Sequence, residues 1–322
     1  MVRKSVSGLI VLFATLINIS FAQSLLQTFG SGANQFAIDF VEIGNPGNSA
    51  DTTERLNPIG SVGYVYNLGK YEVSRGMIDK ANSAGGLGIT MFDMSSYGAN
   101  GINKPATGVN WYEAARFVNW LNTSTGGTAA YKFDINGDFQ LWSQYDVGYN
   151  PNNLFRNSNA KYAIASSDEW HKGAYGSPSG AWSLYPNGTD IEPDPIANGL
   201  IGAVYNQQPD FNDQAGPADV DNAGSLSAWG TMAQGGNVTE WVESAYDQNN
   251  DTPGEGRGLR GGDFTSTTFW LRSPNDDGPA FPTDDLSLAG GAFRVVMVPE
   301  PSALSLLSIG LGGLAMLRRR RS

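Results

Sequence analysis

The sequence predicts one globular domain in which short helices and strands are separated by long, irregular loops. The chain has 322 residues, of which 40% are hydrophobic and 11% aromatic, enough for a sizeable buried core. It also contains 41 glycines and 16 prolines, which favour turns over long regular helices. Between the two ends there is no linker and no repeat of solenoid period. The simplest organisation is therefore a single domain over residues 23–298.

Local patterns place the first regular elements. The apolar alternation over Val62–Val73 predicts a strand. From Trp111 apolar side chains recur at helical spacing, and Asn110 with Glu113 has the pattern of a capping box. A shorter helix is predicted to begin near Ser167, where a hydroxyl cap precedes acidic residues. Two brief strands are predicted in the glycine-rich remainder, at Leu259–Phe264 and Ala292–Met297.

Two residue counts exclude much familiar chemistry. The chain has no cysteine, so disulfides and thiolate catalysis are excluded. Its single histidine, His171, rules out zinc-histidine clusters and histidine-based triads. Because a lone imidazole with no evident partner is seldom a catalyst, we expect His171 to have a structural or surface role.

The charge balance limits the possible partners. The net charge is -11, and leaving out six basic residues and one acid at the two ends gives 14 basic against 30 acidic side chains, a charge of -16. Phosphate recognition requires clustered Lys and Arg, so nucleic acid and anionic lipid are poor partners. The charge balance does not exclude divalent cations or neutral polymers as ligands.

The N-terminal residues have the three-part pattern of a secretory signal peptide. Arg3 and Lys4 precede an apolar stretch over Leu9–Ile19, and small residues follow at Ser20 and Ala22. This pattern predicts a signal peptide over residues 1–22 with cleavage after Ala22. The alternative is a buried N-terminal helix.

The C-terminal residues 299–322 have the order of a sorting signal. Pro299, Glu300 and Pro301 precede an apolar run over Ser302–Leu317, and arginines fill positions Arg318–Arg321. As a helix the run would span about 24 Å, a short transmembrane segment whose arginines would stay in the cytoplasm.

This order closely resembles the PEP-CTERM sorting signal of Gram-negative bacteria. The resemblance implies a transient anchor in the inner membrane, processing by an exosortase, and release to the cell surface or extracellular matrix. The exosortase and the secretion machinery would then be partners. A permanent tail anchor is the alternative.

Six motifs follow one another in the predicted domain. They are LGKYEVS at 68–74, PATGVNWYEAARFVNWLN at 105–122, SSDEWHKGAY at 166–175, GGNVTEW at 235–241, LRGGDF at 259–264 and GGAFRVV at 290–296. In this order they resemble the signatures of the formylglycine-generating-enzyme-like, or sulfatase-modifying-factor, family. The resemblance implies a single-domain α+β fold, related to C-type lectins and low in regular secondary structure.

The chemistry of the family's enzymes does not carry over to these residues. Its oxidases hold copper with two cysteines, which would lie between Arg260 and Arg294, and that segment contains none. We therefore expect no copper and no formylglycine generation. Iron-dependent relatives use a set of histidines that His171 alone cannot supply.

The resemblance also implies a calcium site around the GGNVTEW turn. The carbonyls of Gly236 and Val238 and the side chain of Glu240 match the family's ligands. Ala233 stands where an acid or amide is usual, and Thr239 where tryptophan is usual, so we expect a weakened site.

A second calcium site of the family would fall near Asn206 and Asp213. For the turn itself the alternative is structural: Glu240 would hydrogen-bond the turn while Trp241 fills the core.

Three other polar segments are interpreted as structural. The alternating oxygens of Asp134–Asp138 suggest a calcium loop, but Phe139 replaces the glycine such a loop requires, so a turn is predicted. The amide-rich Asn150–Ala160 is expected to form asparagine turns. The acidic pairs Asp276–Asp277 and Asp284–Asp285 are expected at the solvated surface, not as glycosidase carboxylates.

Two hypotheses for function follow. The first is an exported, non-catalytic domain that uses the enzyme-like scaffold for binding or as a structural component, with exopolysaccharide as the candidate ligand. The second is an enzyme of unknown reaction in the family's central groove. The first predicts an open surface lined by aromatic side chains, the second a pocket with converging acids of perturbed pKa.

Overall fold

The computed structural model describes residues 25–54, 57–207, 216–286 and 290–299. The predicted signal peptide, the residues Glu300 and Pro301, and the apolar run Ser302–Leu317 lie outside the described residues. Among the described residues, no helix combines the length and the apolar character needed to cross a membrane.

The described part of the chain contains short helices and strands joined by long loops. The strands are β1 (Leu25–Phe29), β2 (Phe36–Ile43), β3 (Tyr66–Gly69), β4 (Lys132–Phe133), β5 (Phe139–Gln140), β6 (Tyr162–Ile164), β7 (Thr239–Ala245), β8 (Arg257–Arg260), β9 (Pro279–Ala280), β10 (Gly290–Phe293) and β11 (Val295–Met297). The α-helices are α1 (Arg75–Gly85), α2 (Trp111–Ser124) and α3 (Ser167–Tyr175). Short 3-10 turns lie at Gly32–Asn34, Ser95–Tyr97 and Thr268–Leu271.

Two sheets organise the core. The larger is antiparallel throughout, with the order β1-β2-β3-β11-β6. The smaller has the order β10-β7-β8-β9, in which β10 and β7 are parallel. Strands β4 and β5 form a separate hairpin. The chain passes from the smaller to the larger sheet at Arg294, between β10 and β11, so the two sheets share a covalent connection in the core.

The two predicted helices are confirmed together with their caps. In α2 the Asn110 side chain accepts from the backbone of Glu113, and the Glu113 carboxylate accepts from the backbone of Asn110. Helix α3 begins with the same arrangement between Ser166 and Glu169. Each box satisfies N–H groups that the first helical turn leaves without partners.

The predicted strands exist but are shorter or interrupted. Only Tyr66–Gly69 of the predicted Val62–Val73 is a strand, because the chain on either side turns away from the sheet. The strand predicted at Leu259–Phe264 ends at Arg260, before two glycines with positive φ. The one predicted at Ala292–Met297 is divided at Arg294, whose side chain turns into the core.

Two tryptophans join α2 to the smaller sheet. The indole nitrogen of Trp111 donates to the Val242 carbonyl at 3.1 Å, and that of Trp241 donates to the Val109 carbonyl at 2.8 Å. Both rings are fully buried, and the Arg257 guanidinium lies 4.6 Å from the Trp111 ring centroid. This reciprocal pair fixes the start of α2 against β7.

Candidate functional site

The GGNVTEW turn connects the loops of the smaller sheet to β7. Gly236 has a φ of 86° and Asn237 a φ of 63°, so both lie in the left-handed region. The Gly236 N–H donates to the Gly261 carbonyl at 2.8 Å, and the Asn237 N–H donates to the Val204 carbonyl at 2.7 Å. A side chain at Gly236 would collide with the backbone of Val204, which explains glycine here.

Glu240 forms a buried ion pair directly after this turn. Arg294 Nε lies 2.9 Å from Glu240 Oε1 and 3.0 Å from Oε2, and Trp170 Nε1 donates to Oε2 at 2.8 Å. Burial raises the pKa of Glu240, although Arg294 and Trp170 both oppose the shift. The other Arg294 nitrogens donate to the carbonyl of Gly69, at the end of β3, and to the loop carbonyls of Lys70 and Met232.

Glu72 is a second buried carboxyl beside this pair. Its Oε2 accepts from Asn237 Nδ2 at 2.6 Å, and its Oε1 has no hydrogen-bond partner among the described residues. Burial and the neighbouring charge of Glu240 raise the pKa of Glu72 well above its ordinary value, which favours the neutral acid.

The predicted calcium residues can now be placed. Both oxygens of Glu240 face Arg294, so this side chain does not fit a calcium ligand unless the ion pair opens. Val238 is buried beside the turn, and Asn206 is exposed, with its N–H donating to the Ser266 carbonyl at 2.8 Å. Asp213 lies outside the described residues. Calcium binding therefore stays a prediction.

A larger buried network, which the sequence did not indicate, is centred on Arg156. Its Nε lies 2.5 Å from Glu243 Oε2, and its two terminal nitrogens lie 3.0 and 2.9 Å from the two oxygens of Glu169. Both carboxylates are fully buried. Three further side chains donate to them: Tyr64, Tyr131 and Asn153. Burial raises the pKa of Glu169, but the charge and hydrogen bonds of Arg156 outweigh it, so the pKa lies below its ordinary value.

His171 has a structural role, which is one of the two roles that we expected for it. The ring is fully buried, and its Nε2 lies 2.9 Å from Asp51 Oδ2. Burial raises the pKa of Asp51, but hydrogen bonds from His171 and Thr53 lower it to about 2. The imidazole thus ties α3 to the loop that follows β2.

The polar loops are turns, as predicted. Asp134 Oδ1 accepts from the N–H groups of Asn136 and Asp138 and closes the turn between β4 and β5. Three asparagines in Asn150–Ala160 accept from the backbone two residues ahead, at Asn150, Asn153 and Asn157.

The two acidic pairs contact neighbouring loops, and some of their side chains are less exposed than expected. Asp276 forms an ion pair with Arg260, and Asp277 Oδ2 accepts from the Gly262 N–H at 2.9 Å. Burial raises the pKa of Asp277 to about 6. Asp284 accepts from the Phe281 N–H, and Asp285 from the Asn110 side chain.

An exposed aromatic pair lies in the Arg260–Arg294 segment. Phe269 and Trp270, within the 3-10 turn Thr268–Leu271, are 51% and 37% exposed, and their ring centroids are 5.1 Å apart. Leu271 is fully buried and fixes the turn to the domain. We call Phe269 and Trp270 the aromatic pair.

Together, the two sheets, the capped helices and the glycine-rich turns define a mixed helix and strand domain of known type. The sulfatase-modifying factor enzyme 1-like domain matches residues 61–297, and the chain belongs to this family. The PEP-CTERM protein-sorting motif matches residues 298–321. No curated protein matches the chain significantly.

Solved structures share the fold at low sequence identity. Treponema denticola variable protein 1 is 20% identical with a TM-score of 0.58, over 85% of this chain and 99% of that one. CarF is 18% identical with a TM-score of 0.55, over 81% and 98%. PvdO from Pseudomonas aeruginosa is 17% identical with a TM-score of 0.54, over 85% and 98%. These likenesses confirm the predicted fold of the formylglycine-generating-enzyme family.

The sorting motif supports an exported protein and implies exosortase-dependent sorting.

Proposed function

We propose that this protein is an exported, non-catalytic member of its family that binds a surface polysaccharide through the aromatic pair. The observation that carries the proposal is the composition of the Arg260–Arg294 segment. Where the family's oxidases hold copper with cysteines, this chain has no thiol and exposes Phe269 and Trp270. Flat, half-exposed aromatic rings offer apolar area at little conformational cost.

Two acids of the domain are already paired with arginines, which supports binding over catalysis by these two carboxylates. Glu240 is paired with Arg294, and Asp276 with Arg260, so both carboxylates balance a charge within the domain. A small pocket with room for about one water lies between the loops around Pro186, Gly202, Ala223 and Gln234, and no carboxylate lines it. An enzyme using acids would require such groups to converge on the pocket.

The acidity of the chain favours a neutral polymer at the aromatic pair. With a net charge of -11, the protein repels polyanions that approach within about 10 Å, since salt at 0.1 M screens the repulsion beyond that distance. A neutral saccharide is not subject to this electrostatic repulsion.

A glycan array probed with the purified full chain tests the proposal. We expect binding to a subset of polysaccharide fragments, and at least a tenfold loss in the double variant Phe269→Ala, Trp270→Ala. Tyr145→Ala is the matched control, because this aromatic side chain is 88% exposed and lies elsewhere. Absence of any glycan binding, or equal binding by the double variant and the wild type, would overturn the proposal.

A further inference from the structure

The aromatic pair packs on a glycine in the loop after β8. Gly262 has a φ of 66°, and the Trp270 side chain lies directly on it. A Cβ at Gly262 would lie 2.9 Å from Trp270 Cβ, which is closer than ordinary van der Waals contact. The position of Trp270 therefore depends on the position of this glycine backbone.

Asp277 holds the backbone of Gly262 in place. The Asp277 Oδ2 accepts from the Gly262 N–H at 2.9 Å, and the Asp277 N–H donates to the Leu259 carbonyl at 3.3 Å. A charged acceptor forms a stronger hydrogen bond to an N–H group than a neutral one. Asp277 therefore connects β8, through its own backbone, to the glycine under Trp270.

Other hydrogen bonds hold the rest of the turn Thr268–Leu271. The Asn275 side chain donates to the Phe269 carbonyl, and the hydroxyl of Tyr175 donates to the Leu271 carbonyl at 3.0 Å. Neither of these two hydrogen bonds involves a carboxylate. The contact beneath Trp270 differs from them, because its strength depends on the charge of Asp277.

The carboxylate of Asp277 lies where a negative charge is unfavourable. Asp277 is half-buried, and burial raises its pKa to about 6, with the charge of Asp263 acting in the same direction. The hydrogen bond from Gly262 and the charge of Arg260 lower the pKa, although Arg260 also pairs with Asp276. The charge of Asp277 therefore changes between pH 7 and pH 5.

We propose that Asp277 is a positioning residue for the aromatic pair and that it makes this site sensitive to pH. The inference rests on the proposed function, because it takes the aromatic pair as the binding surface. In the closed form the turn Thr268–Leu271 packs on Gly262, as in the structure. In the open form the turn has left Gly262, and the carboxyl of Asp277 is solvated.

The direction of the pH effect follows from the proton affinity of the two forms. A solvated aspartate has a pKa of about 3.9, so the closed form binds a proton more tightly than the open form. Falling pH therefore favours the closed form, in which the neutral acid can still accept from Gly262 through its carbonyl oxygen. With a pKa of about 6 in the closed form, the ratio of closed to open turn should rise about tenfold from pH 7 to pH 5.

Hydrogen exchange of the purified full chain measures this opening without any glycan. Mass spectrometry of peptides that cover Thr268–Leu271 reports the exchange of the turn. After correction for the intrinsic effect of pH on exchange, we expect the open form to be about tenfold rarer at pH 5 than at pH 7. An unchanged population of the open form, or a larger one at pH 5, overturns the proposal.

Two substitutions at Asp277 separate its charge from its hydrogen bond. Asp277→Asn keeps an oxygen acceptor and removes the charge, so the turn should open as rarely at pH 7 as it does in the wild type at pH 5. Asp277→Ala removes the acceptor, so the turn should open about fivefold more often than in Asp277→Asn at either pH. Asp284→Asn is the matched control and should keep the pH dependence of the wild type, because Asp284 Oδ2 accepts from a different backbone N–H, that of Phe281.

The outcomes separate this inference from the proposed function. A tenfold pH dependence that persists in Asp277→Asn, or equal opening in Asp277→Asn and Asp277→Ala, refutes the role of Asp277 even if glycan binding depends on the aromatic pair. A pH dependence that is lost in Asp277→Asn and kept in Asp284→Asn supports this role. It does so even if the glycan array shows no binding, a result that would remove the proposed function alone.

Discussion

Replacing Arg156 by methionine should be among the most damaging single changes to this domain. Methionine is of similar length and apolar, so the stem packing largely persists while the guanidinium is lost. The change leaves Glu169 and Glu243 buried with no cation between them. A buried charge that loses its partner retains its desolvation penalty and loses the attraction that offset it.

The contacts of Arg156 determine how much stability the Arg156→Met variant should lose. Arg156 makes contacts of 2.5, 2.9 and 3.0 Å to two carboxylates with fully buried side chains, and it also donates to the Ile164 carbonyl at 2.8 Å. Breaking a buried pair in this way destabilises proteins by about 3–5 kcal/mol. At about 2 °C per kcal/mol for a domain of this size, the melting temperature should fall by roughly 6–10 °C.

The matched control is Arg272→Met. Arg272 pairs with Glu54 at 2.8 Å, but their side chains are 28% and 59% exposed. Exposed pairs contribute about 0–1 kcal/mol, so this variant should melt within about 2 °C of the wild type. Urea unfolding followed by tryptophan fluorescence gives both free energies of unfolding. Equal, small losses in the two variants would refute the conclusion that the Arg156 network stabilises the fold.

The pH dependence of the same variant gives an independent check. In the wild type the pKa of Glu169 is lowered, so its contribution to stability is present above its unfolded pKa and is lost as pH falls through the folded value. Without Arg156, burial should raise that pKa, and protonation at acid pH should relieve the unpaired charge. The difference in free energy of unfolding between variant and wild type should therefore narrow as pH falls. If the difference in free energy of unfolding widened toward acid pH, the expected rise of the Glu169 pKa in the variant would be wrong.

Three further predictions follow from the same structure and sequence. If calcium binds at the GGNVTEW turn, millimolar calcium should raise the melting temperature of the wild type modestly and should leave that of Glu240→Gln unchanged. Identical responses of the two proteins would show that Glu240 is purely structural. In a host with an exosortase, mass spectrometry of the surface protein should find no peptide containing Arg318–Arg321, and an intact arginine tail would defeat this expectation. The purified chain should not oxidise a cysteine peptide with or without copper, because it has no thiolate to bind the metal. Turnover above a protein-free control would show that a different catalytic site is present.

The sequence predicted the elements whose signals are local. The capping box at Asn110 and the hydroxyl cap of α3, at Ser166, are formed as expected, because a cap depends on residues three positions apart. Helix α1 was not predicted, although Ser74 caps it and Gly86 ends it with a φ of 62°. Its buried residues are only Arg75, Ile78 and Ala81, so its apolar stripe is too sparse to stand out.

The buried charges could not be predicted, because each depends on residues far apart in the chain. Arg156 lies in a loop rich in asparagine, and its partner Glu243 lies 87 positions later in β7. Every residue of β7 is buried, including Glu240 and Glu243, so the alternation that signals a strand is absent. Only the fold reveals that these acids face arginines and not solvent.

The buried ion pairs stabilise the core of the domain at a distance from its exposed aromatic turn. Arg294 joins the two sheets through Glu240, and Arg156 joins α3 to β7 through Glu169 and Glu243, all with buried carboxylates. The aromatic pair lies in an exposed 3-10 turn anchored by Leu271, outside both networks. Substitution in such a turn changes stability little, since large effects arise from buried charges and cavities. The exposed turn that carries the aromatic pair is therefore free to vary in sequence without change to the buried core.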